Sequence, residues 1–347
     1  MTSAGLDQRQ RELCLQVAVG DGVGLGKDMA SQTGNWTAED IPDQTGRTAL
    51  ITGANSGLGL RTSQVLAGKG AHVLLACRSP ERGEEALRSV TAAATGTAPE
   101  LVELDLSDLE SVRQATASVR ELTGESLDVL VNNAGVMATP KGTTEDGFEI
   151  QFGTNHLGHA ALTWLLLPAL RNGTGARVVT VSSLAASSGN LDFEDPNFEH
   201  RRYNPGSAYA QSKLANQVFA LELDRRLRAA DEDVISVAAH PGYTWTGLGS
   251  GMARSYPNPI LKAIIGAGNR IGEVLIAQKV QMGALPQLFA ATAQDVSGGD
   301  YIGPRGIGGV RGYPANVQPL GSALSERQGS ALWELTAKLT GVTPDPV

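Results

Sequence analysis

The chain has 347 residues, with 28 Lys and Arg against 36 Asp and Glu, and a formal net charge of −8. Hydrophobic residues make up 41% of the chain and charged residues 18%, which supplies a packed core and excludes an intrinsically disordered polymer. No basic run stands out, so we expect no nucleic-acid partner. The 42 glycines follow no three-residue period, which excludes a collagen-like fibre and leaves sharp turns and close backbone approaches as their explanation.

Cysteine content and hydropathy predict a cytoplasmic protein without a membrane span. The only two cysteines, Cys14 and Cys77, exclude a disulfide framework and fit a reducing compartment, and we expect both to be inert. The most apolar stretch, residues 160–170, is too short to cross a bilayer and contains Pro168.

The N-terminal residues lack the basic-then-apolar order of a signal peptide. We predict a poorly ordered extension over residues 1–40, and we hypothesise that Met29 is the native start. A peptide from upstream of Met29, found by mass spectrometry of the native protein, would refute that hypothesis.

From about residue 46 onward, short β-branched runs alternate with longer helical segments. Runs that are apolar on both faces predict parallel strands buried beneath crossover helices, and right-handed crossovers then give a doubly wound sheet. We therefore predict a Rossmann-type α/β fold, with a mostly seven-stranded parallel sheet and helices on both faces. The predicted strands are residues 48–52, 72–76, 101–104, 127–131, 177–181, 234–238 and 300–302.

Helix signals complete a single domain. One helix is predicted at residues 59–66, and two longer ones at 145–170 and 207–230. Ser107 and Glu110 have capping-box spacing, which predicts that Ser107 caps a helix ending near Leu122. Residues 41–320 are expected to hold the cofactor-binding and catalytic residues, and residues 321–347 a C-terminal helix and tail.

A glycine-rich loop follows the first predicted strand, with the sequence TGANSGLG from Thr52 to Gly59. Gly53 allows a tight turn, while Gly57 and Gly59 let the backbone approach a pyrophosphate at the helix N-terminus. Three glycines also fit an ordinary strand-to-helix turn. However, a strand before and a helix after the loop are the context that dinucleotide binding requires, and they favour it.

The spacing TGxxxGxG resembles that of the short-chain dehydrogenase/reductase family, in its short single-domain branch. Residues 75–78, 133–137 and 212–216 resemble the retinol-dehydrogenase-like group and its bacterial relatives. Membrane-anchored members carry an N-terminal apolar helix that this sequence does not show. Five further motifs follow in family order: residues 132–135 (NNAG), Asn155 in a helix, Ser182 with Ser183, residues 209–213 (YAQSK), and Pro241 with Gly242.

Tyr209 and Lys213 are four positions apart, on one face of a predicted helix. A tyrosine with a pKa near 10 is a poor acid–base catalyst at neutral pH, and a neighbouring ammonium is expected to lower that pKa. We predict that Tyr209 donates the proton in carbonyl reduction and accepts it in alcohol oxidation. A surface Tyr–Lys pair is the alternative, which the neighbouring motifs disfavour.

The family resemblance implies roles for three more side chains. Lys213 would also bind the nicotinamide ribose, and Ser183 would polarise the substrate carbonyl. Ser182 is the competitor, but the family places its active serine second in this pair. Asn155 would hold a water against the lysine in a proton relay, or would simply bend its helix.

Ser183 and Tyr209 are separated by 26 positions, about twice the spacing in compact members of the family. The retinol-dehydrogenase-like group has a similar insertion. The intervening residues 184–206 are expected to form one wall of the substrate pocket. Residues 247–272 fit an apolar lid or a packed helix, and their position after Pro241 and Gly242 favours a lid, which would suit a lipophilic substrate.

The end of the second strand favours NADP(H) over NAD(H). An acidic residue there would bind the ribose 2′-hydroxyl, but Arg78 stands at this position and Ser79 follows it. The other role of Arg78 would be that of a solvated charge. The predicted cofactor-binding residues are Gly53, Asn55, Ser56, Gly57, Leu58, Gly59, Arg78, Ser79, Asp105, Leu106, Asn133, Ala134, Gly135, Tyr209, Lys213, Pro241, Gly242, Thr244 and Thr246.

Two further patterns are not interpreted as sites. Residues 298–314 contain seven glycines but lack a P-loop ending, and His156 with His159 lack a third metal ligand, so we predict no metal site.

The predicted function is NADP(H)-dependent hydride transfer to or from a carbonyl or alcohol carbon of a lipophilic small molecule. The alternatives are a non-catalytic NADP(H)-sensing or scaffold protein, and an extended-branch epimerase or dehydratase. The former typically loses the tyrosine or lysine, and the latter has different glycine spacing. A homodimer or homotetramer through the two long helices is the usual family assembly, although some members with lipophilic substrates are monomers.

Overall fold

A parallel sheet dominates the computed structural model, which describes residues 35–244 and 278–346. Seven strands lie parallel, and an eighth pairs antiparallel with the seventh. The strands are β1 (Thr48–Thr52), β2 (His72–Cys77), β3 (Glu100–Glu103), β4 (Val129–Asn132), β5 (Arg177–Val181), β6 (Ile235–Ala239), β7 (Tyr301–Pro304) and β8 (Pro314–Asn316). The predicted Rossmann-type fold is confirmed, with β8 as an unpredicted addition.

The strand order is β3-β2-β1-β4-β5-β6-β7-β8. The order reverses between β1 and β4, and a crevice for ligands opens at such a switch point, outside the carboxyl ends of the strands. The glycine loop follows β1 and the NNAG sequence follows β4, so both lie at this crevice.

Helices cover both faces of the sheet. They are α1 (Gly57–Gly68), α2 (Pro80–Thr91), α3 (Leu109–Leu122), α4 (Ile150–Phe152), α5 (Gly158–Arg171), α6 (Pro205–Ala229), α7 (Val280–Gly283), α8 (Leu285–Thr292) and α9 (Glu326–Thr340). One core cluster joins the sheet to α3, α5, α6 and α9, and a second joins it to α1, α2 and α8.

The helix boundaries differ from the predicted ones where side chains cap the backbone. Asp108, rather than Ser107, caps α3, since its carboxylate accepts from the amide of Glu110 at 2.9 Å. The Ser107 hydroxyl instead donates to Asp105 at 2.6 Å. Glu149 caps α4, so the helix expected from residue 145 begins at Ile150.

The C-terminal helix α9 packs on α6. The indole of Trp333 stacks on the ring of Phe219 at 5.6 Å, and the Arg226 guanidinium lies 4.7 Å from the Trp333 ring. The Glu222 carboxylate accepts from Arg226 at 2.7 Å beneath this cluster. An apolar face of the longest described helix is therefore buried within the chain.

The last residues of the predicted N-terminal extension join the domain. Residues 38–40 form a 3₁₀ turn capped by Thr37, and Trp36 packs edge-on against Phe289 at 5.0 Å. Met29 and Cys14 lie outside the described residues. Cys77 is buried and unpaired by disulfide, and burial raises the pKa of its thiol to about 11, as an inert cysteine requires.

Candidate active site

The glycine loop forms a close-fitting cradle at the end of β1. Gly53 has a φ of +66°, and a side chain there would lie 2.9 Å from the Ala134 backbone. A side chain at Gly59 would overlap the Gly53 carbonyl. Helix α1 begins at Gly57 and its N-cap, Ser56, makes no side-chain capping bond, so the first N–H groups remain for another acceptor. This cradle fits a pyrophosphate.

The NNAG sequence is held directly on this loop by Thr52. The Thr52 hydroxyl oxygen accepts from the amides of Asn133 at 2.9 Å and Ala134 at 3.0 Å. In return, the Asn133 side chain donates to the Thr52 carbonyl at 2.8 Å. Gln287 of α8 donates to the Asn133 side-chain oxygen at 3.3 Å. Neither Thr52 nor Gln287 was identified from sequence as a residue that shapes the site.

Two arginines stand at the end of β2. Arg78 is largely exposed, with Nε 3.9 Å from the Asp105 carboxylate. Arg82, in the first turn of α2, faces the Asn55 amide; with the amide oxygen turned toward the guanidinium, Nε and Nη2 donate to it at 3.2 and 3.1 Å. Sequence reasoning missed Arg82 because only the strand end was considered. The Ser79 hydroxyl donates to Glu81 at 2.8 Å and caps α2, so it is already engaged.

Three other predicted cofactor-binding residues have side chains that are hydrogen-bonded or buried within the protein. The Asp105 carboxylate accepts from the amide and hydroxyl of Ser107 at 2.9 and 2.6 Å. The side chains of Leu58 and Leu106 are buried, at 8% and 6% exposure, so any contact from these residues to a cofactor would come chiefly from their backbone.

Helix α6 presents Tyr209 and Lys213 one turn apart at the crevice. The Lys213 Nζ lies 6.0 Å from the centre of the Tyr209 ring and donates to the Val181 carbonyl at 3.0 Å. Ser183 is the second residue after β5, and its hydroxyl lies within reach of the Tyr209 hydroxyl. The structure therefore brings three of the four predicted catalytic residues together.

The pKa values in this cluster differ from expectation. Burial raises the pKa of Tyr209, while the hydrogen bond from Ser183 acts in the opposite direction. The expectation that Lys213 lowers the tyrosine pKa is wrong for this structure. Its ammonium is itself buried, which lowers its own pKa to about 8, and it points to the Val181 carbonyl.

The two adjacent serines are oriented differently. The Ser182 hydroxyl is buried and donates to the Lys213 carbonyl at 2.7 Å. Ser183 is half-buried; its oxygen accepts from the amide of Ala185 at 3.2 Å, and its hydroxyl faces Tyr209. This geometry favours Ser183 over Ser182 as the serine that contacts substrate.

Asn155 lies in a π-helical turn, Gly153–Leu157, between α4 and α5. Its side chain accepts from the amide of Val136 at 2.8 Å and donates to the Val136 carbonyl and the Ser212 hydroxyl, both at 2.9 Å. A side chain at Gly135 would lie 3.1 Å from the Asn155 side-chain oxygen and 3.5 Å from Lys213 Nζ. The absence of a side chain at Gly135 thus lets Asn155 approach the lysine. Such π-turns are frequent at functional sites.

Residues 184–206 dock on the segment that follows β4. The Tyr203 hydroxyl donates to the Thr139 carbonyl at 3.0 Å, and Lys141 donates to the Phe198 carbonyl at 2.9 Å. The Arg201 guanidinium lies 3.7 Å from the centre of the Phe198 ring. The Asp195 carboxylate accepts from the Arg201 amide at 3.0 Å, one of three backbone amides that it holds. The inserted segment is therefore fixed beside the crevice.

Residues Pro241 and Gly242 form a turn after β6. Gln278 and the Thr244 hydroxyl both donate to the Pro241 carbonyl at 2.7 Å, so Thr244 supports the turn from within. Gln278 was not identified from sequence. Thr246 and the expected lid at residues 247–272 lie outside the described residues.

The described ranges contain no group of three or more His, Cys, Asp or Glu side chains that could hold a metal ion. Within the same two ranges, none of the helices combines the length and apolarity needed to cross a bilayer. Of the seven glycines in residues 298–314, two precede β7, one (Gly303) lies within it, and four lie in the connection between β7 and β8.

The fold and the crevice define a dinucleotide-binding oxidoreductase with a tyrosine, a lysine and a serine at its centre. Residues 47–256 match the family model described as short chain dehydrogenase. The chain belongs to this family, and it is an NAD(P)-binding dehydrogenase/reductase.

Curated relatives cover nearly the whole chain. It is 37% identical to human retinol dehydrogenase 13 over 302 residues, which cover 86% of this chain and 85% of the relative. It is also 37% identical to mouse polyprenol dehydrogenase over 335 residues, or 95% of this chain and 94% of that one. Among solved structures, an uncharacterised protein from Mycobacterium paratuberculosis is 42% identical with a TM-score of 0.73, over 90% of this chain and 100% of the other.

Proposed function

We propose that the protein transfers a hydride between NADP(H) and the carbonyl or alcohol carbon of a lipophilic small molecule. The convergence of Ser183, Tyr209 and Lys213 at the crevice, with Asn155 beside Lys213, carries this proposal. The lipophilic substrate class is supported by the names of the relatives, a retinol and a polyprenol dehydrogenase. The fixed segment of residues 184–206 would form one wall of the pocket.

In the reductive direction, Ser183 donates a hydrogen bond to the substrate oxygen and Tyr209 gives it a proton. Because burial keeps Tyr209 protonated at neutral pH, the free protein is prepared for reduction rather than oxidation. Lys213 binds ribose hydroxyls and carries positive charge near the tyrosine. Asn155 fixes the neighbouring backbone and holds a water against the lysine.

The cofactor supplies or accepts the hydride when bound. The amides of the glycine loop would hold its pyrophosphate, and Arg78 and Arg82 would surround a ribose 2′-phosphate. The remaining contacts would come from Asn133, Gly135 and the turn at Gly242.

The proposed function is tested by following nicotinamide absorbance with a panel of retinoid, prenol and smaller carbonyl and alcohol substrates. NADPH-dependent turnover of apolar members of the panel is expected. NADPH binding without turnover of any substrate would instead favour the sensor or scaffold protein.

We further propose that residues 41–320 form the functional domain and that the enzyme is cytoplasmic. The rarity of cysteine supports the compartment. Assembly as a homodimer or homotetramer is proposed from the family alone, and light scattering of the full chain tests it.

Replacement of Arg78 by Ala is expected to lower kcat/KM for NADPH by about 10- to 100-fold, because one charge-assisted phosphate contact is lost. The value for NADH should change little, since NADH has no 2′-phosphate. Steady-state kinetics with both cofactors measures this, and Arg88→Ala, an exposed arginine of α2, is the matched control. Equal losses with both cofactors, or an NADH efficiency above that of NADPH in the parent chain, would refute the NADP(H) assignment.

The pH dependence of kcat/KM for NADPH should reflect Lys213 in the cofactor-free protein. Burial lowers the pKa of this ammonium to about 8, so we expect kcat/KM to be constant below that pH and to fall above it, as the charge is lost. Tyr209 stays protonated through this range because its own pKa is raised. A profile that remains flat to pH ~10, the ordinary lysine range, would contradict this expectation.

A further inference from the structure

Two buried histidines lie at the π-helical turn that carries Asn155: His156 within the turn and His159 at the start of α5. His156 Nε2 lies 2.9 Å from the Thr336 hydroxyl of α9. His159 Nε2 lies 2.8 Å from the Thr52 hydroxyl at the end of β1. Both side chains are 1% exposed. The two rings therefore hydrogen-bond to different parts of the fold.

The partners of His159 fix its tautomer. Its Nδ1 lies 2.9 Å from the Asn155 carbonyl oxygen, which can only accept, so Nδ1 carries a hydrogen. Burial lowers the pKa of the ring to about 3 and keeps it neutral, so Nε2 is an acceptor. The Thr52 hydroxyl also lies 3.3 Å from the Val131 carbonyl, but Nε2 is the nearer acceptor at 2.8 Å and has no hydrogen of its own, so the hydroxyl donates to Nε2.

Thr52 completes a chain of hydrogen bonds in which each donor and acceptor is assigned. With its proton given to His159, its oxygen accepts from the amides of Asn133 and Ala134. The chain thus runs from the NNAG backbone through Thr52 and His159 to the Asn155 carbonyl. It connects the loop that would hold the cofactor with the turn that presents Asn155, although Thr52 and His159 are 107 positions apart.

We propose that His159 is a positioning residue, which fixes the Asn155 turn relative to the cofactor-binding loop; this inference rests on the proposed function. An apolar side chain could fill the same volume but would leave the Thr52 hydroxyl and the Asn155 carbonyl without this partner. Because Asn155 and Lys213 both lie close to Gly135, a small displacement of the turn would be felt at the lysine. Misplacements of about 1 Å can cost on the order of 100-fold in rate.

The test compares His159→Leu with Thr336→Val, which deletes the other hydroxyl–imidazole hydrogen bond of the turn, from His156 to α9, and leaves the bridge to the cofactor-binding loop in place. We expect His159→Leu to lower kcat by about 10-fold or more at saturating NADPH, with a much smaller change in substrate KM. Thr336→Val should lose a similar free energy of unfolding but keep kcat. Equal kcat losses in the two variants, or a kcat for His159→Leu within about twofold of the parent, would overturn the proposal.

Two partial replacements sharpen the comparison. His159→Asn places an amide donor near the Asn155 carbonyl, while His159→Gln places an acceptor near Thr52. Because the proposal requires both ends of the bridge, each variant should restore less than the full kcat. Full rescue by either one would show that no bridge is needed.

A spectroscopic readout separates this proposal from the proposed function. ¹⁵N NMR of the His159 ring should show a neutral Nδ1–H tautomer whose resonances shift when NADPH binds. A protein that binds NADPH without turning over any substrate would fail the proposed function, and the bridge would then be judged by this spectrum. An Nε2–H tautomer, or resonances that do not respond to NADPH, would overturn it.

Discussion

Replacement of Tyr209 by Phe is expected to reduce kcat for carbonyl reduction by about 10²- to 10⁴-fold, the usual contribution of a positioned general acid. The phenyl ring keeps the apolar volume beside Lys213, so the change removes only the hydroxyl, with its transferable proton and its contact with Ser183. Stopped-flow measurement of NADPH oxidation at saturating substrate gives the rate. NADPH affinity, measured by nicotinamide fluorescence, should change by no more than a few-fold.

Tyr313→Phe is the matched control, since that ring contacts Arg305 at 5.5 Å and lies outside the proposed catalytic group. It should leave kcat unchanged. Undiminished turnover in Tyr209→Phe would remove the tyrosine from the mechanism. A parallel loss of NADPH binding would assign the tyrosine to cofactor binding instead.

The second large effect is expected at Lys213, where activity and stability should change in opposite directions. Lys213 is 4% exposed, and among residues 35–244 and 278–346 its ammonium donates to the Val181 carbonyl alone. A lysine pKa lowered to about 8 means that folding disfavours the charge. Lys213→Met should therefore abolish measurable turnover yet raise the free energy of unfolding at pH 7 by about 1–3 kcal/mol.

Urea denaturation of the cofactor-free protein measures this gain in stability. Lys338→Met, at an exposed position of α9, should alter neither activity nor stability. The sign also depends on pH. Between the folded pKa of about 8 and the unfolded value near 10.5, the parent regains stability as pH rises, so the advantage of Lys213→Met should shrink. A less stable Lys213→Met variant at pH 7 would show that the buried ammonium stabilises the fold.

Strands could be predicted where burial of their side chains leaves a run of apolar residues in the sequence. Strands β1 and β5 begin and end where predicted, because each is a run whose side chains are almost all buried. Strand β8 has no such pattern. Its three residues become a strand only by pairing with β7, a contact that local sequence does not encode. The cap of α3 was misplaced for a related reason, because Ser107 found a partner in Asp105.

The site residues also divide into those that a sequence motif predicts and those that only contacts in the fold reveal. Motif spacing predicted Tyr209, Lys213, Ser183 and Asn155 as site residues, since their order along the chain is characteristic of the family. Thr52, Arg82 and Gln287 were missed because their importance comes from partners on other elements. The π-turn was missed because hydrophobic periodicity does not report a single widened turn.

The error at the Tyr209 pKa has a physical cause. Four positions on a helix bring two side chains to one face, but they do not fix where a long lysine points. Lys213 extends to the end of β5, and burial dominates at both groups. The four-residue spacing correctly predicted that Tyr209 and Lys213 lie close together. It did not predict the direction in which the pKa of Tyr209 is shifted.

The two borders of the sheet also affect how this protein behaves at high concentration. Strand β3 has four residues with exposed Glu100 and Glu103 at its ends, and β8 has three residues beginning at Pro314, which has no N–H to offer. Short, charged or proline-bearing borders are poor templates for a strand from another molecule. The eight-stranded sheet is thus protected against edge-to-edge aggregation at both ends, and the small unpredicted strand β8 provides that protection beside β7.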